Sequence, residues 1–188
     1  MNKRKKNSST TNYAMKRNPF TEEMKKDYTI LVPQMAPIHF ELFEVALQSE
    51  GYKVKVLQEC SAKTVETGLK YVNNDACYPS ILTTGQFIEA LQSGKYDPNK
   101  TAIIMSQTGG GCRATNYIGF IRKALKDAGF AHVPVISFNV VGMEKNPGFK
   151  LTFGFIERLF KSVILADLLQ KLLTKNGEHS SIINLYTI

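Results

Sequence analysis

The chain has 188 residues, 43% of them apolar and 21% charged, the balance of a globular domain large enough to bury one core. Its net charge of +8 invites a nucleic-acid partner, yet Lys3, Arg4, Lys5, Lys6, Lys16 and Arg17 crowd the first 18 positions without an acid, leaving +2 for the rest. That distribution reads as a solvated basic arm, and with no RNA- or DNA-reading motif beside it nucleic acid is not an expected partner.

Residues 1–27 read as this arm and a short polar lead-in. From Tyr28 the pattern changes. Thr29 to Gln34 is a short apolar strand, followed by a helix over His39 to Ser49 that aligns Leu42, Phe43, Ala46 and Leu47 and ends at Gly51. Lys53 to Gln58 alternates as a second strand, and Ser61 caps a helix over Thr64 to Val72 with Val65, Leu69 and Val72 on its expected inner face. Pro79 opens a helix that runs to about Ser93, with Ile81, Ile88 and Leu91 inward and Gly94 closing it. Thr101 to Ser106 is the third strand, and Tyr117 to Ala128 carries one stripe of Tyr117, Ile118, Ile121, Ala124, Leu125 and Ala128 up to Gly129. Val133 to Val140 is the fourth strand, and Phe149 to Leu173 a long apolar-rich helix with an expected break near Gly154.

Alternating strands and helices predict an α/β domain over residues 28–173, a Rossmann-like, mainly parallel sheet with helices on both faces, and residues 174–188 as a tail. In such sheets ligands bind at the carboxyl ends of the strands. That edge is expected to carry Gln34 and Met35, Glu59 and Cys60, Thr108 to Arg113, and Asn139 to Gly142, with Cys77 reaching it through its loop. No apolar run approaches the roughly 18 residues that cross a bilayer, so no membrane partner is expected. The basic start lacks the apolar stretch of a secretory signal, and three cysteines without close pairing make no disulfide framework. A reducing cytoplasm is the expected compartment.

The densest chemistry lies in Gln107-Thr108-Gly109-Gly110-Gly111-Cys112-Arg113-Ala114-Thr115-Asn116-Tyr117, where three glycines run into a cysteine at a helix start. Side-chain-free backbone can approach a ligand closely, and a helix N-terminus favours a thiolate. Cys77, in Asn73-Asn74-Asp75-Ala76-Cys77-Tyr78-Pro79, has the same relation to its own helix. The residues alone leave a buried thiol, a nucleophile and a metal ligand open. Spacing disfavours several chemistries: there is no Cys-x-x-Cys, no phosphate-cradling G-x-x-x-x-G-K-[ST], and no glycine pattern of dinucleotide-binding register. A Cys–His pair through His39 is weakly supported. Cys60, at the end of a strand without glycine or proline beside it, reads first as incidental. A metal-free module that docks an anionic ligand or a partner chain at the same edge is the alternative of a different class.

These two cysteine motifs, together with Pro33-Gln34-Met35-Ala36-Pro37-Ile38-His39, resemble the activase-related iron–sulfur region of the 2-hydroxyacyl-CoA dehydratase activator family, over about Phe20 to Leu173. The resemblance implies a domain that holds a 4Fe-4S cluster and passes electrons within a larger ATP-driven system, as a fragment or accessory piece of it. Large members of that family join ATPase modules to a region related to the dehydratase subunits. By motif match Cys77 and Cys112 are the implied cluster ligands, Gly109, Gly110 and Gly111 shape the pocket, and Arg113 offsets cluster charge. A cubane takes three or four protein ligands. Cys60 is the candidate third; a ligand in sequence missing after Leu173 and a cluster shared across a homodimer are the other expectations. Other activase or dehydratase chains are the implied partners. The chain has no recognisable ATPase module, so no complete active site is expected within it.

Overall fold

The computed structural model describes residues 17–58, 60–107, 112–139, 146–150 and 152–175. Four short strands, β1 (Thr29–Val32), β2 (Lys53–Val56), β3 (Thr101–Ser106) and β4 (Val135–Phe138), pair in parallel in the order β2-β1-β3-β4. Helices α1 (Met24–Asp27), α2 (Pro37–Gln48), α3 (Ala62–Tyr71), α4 (Tyr78–Gln92), α5 (Tyr117–Asp127) and α6 (Phe153–Lys175) complete the α/β alternation, and the Rossmann-like reading holds. Among the described residues no helix is long and apolar enough to cross a membrane.

The central strands are apolar along their length because both of their faces are covered. Leu31, Ile103, Met105 and Val135 join Phe87, Ile88 and Leu91 of α4 and Ile118, Ile121 and Leu125 of α5 in one core. Their sequence neighbours Ile30, Val32, Ala102, Ile104 and Ile136 join Ala46 and Leu47 of α2 and Phe155 of α6 in the other. A strand alternates its side chains between faces, so the four consecutive residues Ala102 to Met105 of β3 serve both cores. β2 follows β1 to one side of it and β3 lies on the other, which makes the gap between the carboxyl ends of β1 and β3 the topological switch point.

Several boundaries differ from the sequence reading. Phe20 is fully buried and accepts a backbone bond from Gly148 at 2.9 Å, so the folded body begins before Tyr28. α2 begins at Pro37, where a preset φ suits the first helical position. β4 is shorter than expected, and Val140 lies outside the described residues. α6 runs unbroken through Gly154, because that glycine sits in the first turn, where few intrahelical bonds depend on it. It also takes in Thr174 and Lys175 of the expected tail, whose remainder lies outside the described residues. Gly51, Gly94 and Gly129 end their helices with φ of 81°, 74° and 85°, as read from the sequence.

The largest departure is in α3. Leu69 is 46% exposed, while Thr64, Thr67 and Gly68 are buried. The small face wins because α3 and α4 cross at backbone contact. A Cβ on Gly68 would overlap the Ile81 carbonyl, and one on Gly85 would overlap the Thr64 carbonyl. A larger residue on the buried side of α3 would hold the helices apart. Gly68→Ala and Gly85→Ala are each expected to destabilise the fold by about 1–3 kcal/mol or more, read as a lower denaturation midpoint, because the obstructing atoms are backbone and cannot rotate away.

Candidate functional site

Cys77 is itself the N-cap of α4, with Tyr78 and Pro79 as the first two helical residues. An Asn73 turn, in which Asn73 Oδ1 accepts from the Asp75 amide at 3.2 Å and the Asn73 carbonyl from Ala76 at 2.9 Å, delivers the chain to it. The thiol is half-buried against the α4–α5 core. Its sulfur lies 2.8 Å from the hydroxyl of Tyr117, the first residue of α5.

The direction of that bond follows from electrostatics. Hydrogen bonding from Tyr117 is the largest cause holding the Cys77 thiol below its ordinary range; burial opposes it, and the Ser80 amide and hydroxyl add to it. Tyr117, 6% exposed, is pushed up to about 12 by burial first, then by its bond to Cys77 and the charges of Cys77 and Cys112. On ionisation the thiol therefore gives up its proton before the phenol does, and the phenol then donates to the thiolate. Ser80 Oγ is fully buried and finds no partner of good hydrogen-bond geometry, although it stands near enough to the sulfur to stabilise its charge. Thr84 Oγ1, one turn further along α4, is likewise buried without a partner.

Cys112 caps the 3-10 turn Arg113–Asn116 that leads directly into α5, and its sulfur accepts from the Ala114 amide at 3.5 Å. It is exposed, and its charge reaches the same Tyr117 hydroxyl that touches Cys77. Gln107 fixes this turn to the sheet. Its amide donates to the Phe138 carbonyl at 2.9 Å and its Nε2 to the Thr115 carbonyl at 3.2 Å, while its Oε1 accepts from Ser137 at 2.7 Å. On the β1 side, the Gln34 amide donates to Gln86 Oε1 at 3.1 Å, and Gln34 Oε1 is buried without a partner.

The structure thus sets Cys77 in hydrogen-bond contact with the Tyr117 hydroxyl and Cys112 within electrostatic range of it. It does not link Cys60 to them. Cys60 is exposed, one residue before the Ser61 capping box of α3, with no hydrogen bond to either cysteine among the described residues. Gly109, Gly110, Gly111 and the Arg113 side chain lie outside the described residues. His39 bonds Asp167 of α6 at 2.9 Å, and so ties two helices together rather than serving a cysteine. Among the described residues no group of three or more His, Cys, Asp or Glu side chains could hold a metal ion. On the opposite face of the sheet, an apolar cleft of about 380 Å³ is lined by Val32, Met35, Phe40, Phe43, Phe155 and Leu159. Comparison with protein-family models, characterised proteins and solved structures gives no match for this chain.

Sequence reasoning missed Tyr117 as a polar residue, because its place in a perfect apolar stripe accounts for the ring and hides the hydroxyl. Ser80 was missed too, although its position three residues after Cys77 puts it on the same helix face. Tyr117→Phe keeps the ring and removes the donor. The Cys77 thiol is then expected to titrate at higher pH than in the wild type, followed by thiolate ultraviolet absorbance with Cys60 and Cys112 replaced by Ser.

Proposed function

We propose that this chain is a cluster-holding, electron-transfer domain related to the 2-hydroxyacyl-CoA dehydratase and activator system, with Cys77 and Cys112 as two corners of a 4Fe-4S site. The observation that supports this reading is that both cysteines cap helical turns, Cys77 bonded to the Tyr117 hydroxyl and Cys112 within electrostatic range of that same hydroxyl. Thiolates are the form that binds iron, and Cys77 is biased toward that form by its surroundings.

The fit to a cubane is half of one. This reading draws on two cysteines, whereas three or four ligands are needed, so the remaining ligands would come from Cys60 or from another chain. The cluster would supply one-electron chemistry at low potential. The chain's own residues would do the rest. Tyr117 donates to the Cys77 sulfur, Ser80 stands beside its buried side, and Gln107 holds the Cys112 turn against β4. Other activase or dehydratase chains are the partners this reading calls for, as source and acceptor of the electron.

Anaerobic reconstitution followed by iron and sulfide analysis tests it. Wild-type protein is expected to retain both, with Cys77→Ser and Cys112→Ser each losing the cluster. Cys60→Ser assigns the third ligand: loss places it in this chain, retention places it elsewhere. Wild-type protein that stays iron-free would sink the reading and leave the metal-free docking module.

A further inference from the structure

α6 presents a second surface, unrelated to the cysteines. Of the twelve large apolar side chains that stand exposed among the described residues, eight belong to this one helix. Phe155 and Ala166 face inward and are buried, so the exposed residues are not the helix's core stripe turned the wrong way. They form a second stripe, led by Phe153, Ile156, Phe160, Ile164, Leu168 and Leu172, which recurs at intervals of three and four residues. Side chains of this size expose on the order of 100 Å² each, which makes roughly 800 Å² of apolar surface on a single helix. That exceeds the few hundred Å² of the usual monomer patch and equals what one partner contributes to a standard interface, about 800 Å².

The charges on this stripe select the occupant. Glu157 and Lys171 stand at equal distances on either side of Ile164, as do Phe160 and Leu168, and Ile156 and Leu172. An antiparallel copy of the helix, centred on Ile164, therefore sets every Glu157 against a Lys171 while apolar residues meet apolar residues. A parallel copy sets Glu157 against Glu157 and Lys171 against Lys171. Glu157 is bonded to Lys161 on its own helix, an exposed pair worth little and readily exchanged. We propose that α6 is a homodimer interface, in which the helices of two copies of this chain pack antiparallel about a two-fold axis at Ile164.

Sedimentation equilibrium on the full chain tests this, with circular dichroism confirming that each variant is folded. The wild type is expected to be a dimer and Leu168→Glu a monomer. Glu157→Lys should weaken the dimer about tenfold, because both symmetry-related pairs become repulsive, and the double variant Glu157→Lys with Lys171→Glu should restore it. On oxidation, Ile164→Cys should cross-link to itself above the wild-type background and Phe153→Cys should not. A monomeric wild type overturns the proposal. If deletion of residues 176–188 then yields a dimer, that segment is what covers the face. A dimer indifferent to Leu168→Glu overturns it equally, since the interface then lies elsewhere.

Discussion

β1 and β3 are covered on both faces, and their alternating side chains are divided between two cores. Neither strand has a wet face on which to carry polar chemistry. Function is thereby driven to the loops beyond their carboxyl ends, where the crossover directions diverge and the backbone is released from the ladder. The chain uses that freedom for Gln34 on one side of the switch point and Gln107 on the other, two amides that bond outward to α4 and to β4. The positions of both cysteine turns follow from how these loops are tied down.

The α3–α4 crossing answers a different requirement. Two helices must fit between β2 and β3, and Gly68 and Gly85 let them interlock without thickening the layer. The same compression buries Thr64, Thr67, Ser80 and Thr84. Thr64 is satisfied by Glu89 at 2.7 Å, whereas Ser80 and Thr84 lack partners of good geometry, each a cost on the order of 1–3 kcal/mol. Close packing there is a compromise between helix contact and polar satisfaction, and Ser80 beside the Cys77 sulfur is where the compromise touches chemistry.

Much of this was legible in the sequence, for identifiable reasons. The apolar runs at 29–32 and 101–106 and the glycines at 51, 94 and 129 mark strands and helix ends by local chemistry, and the parallel sheet follows from their order. The α5 stripe lands inward as its period requires. α3 was misread because the identity of its inner face depends on a neighbour 17 residues away, where Gly85 admits the backbone of α3 and leaves no room for Leu69. The bond between Cys77 and Tyr117, a phenol tip bridging 40 residues of sequence, has no local signature.

Tyr117 answers to two demands at one position. Its ring is part of the core that α4 and α5 form with the sheet, and its oxygen meets a sulfur at the surface of that same core. Phenylalanine meets the first demand alone, and serine meets neither, because its hydroxyl sits one bond from Cβ and falls short of the sulfur. Tyrosine alone joins a ring of that size to a hydroxyl at its tip. Position 117 therefore couples packing to thiol chemistry: a substitution that keeps the ring but loses the hydroxyl alters the sulfur, and one that loses the ring opens the core as well.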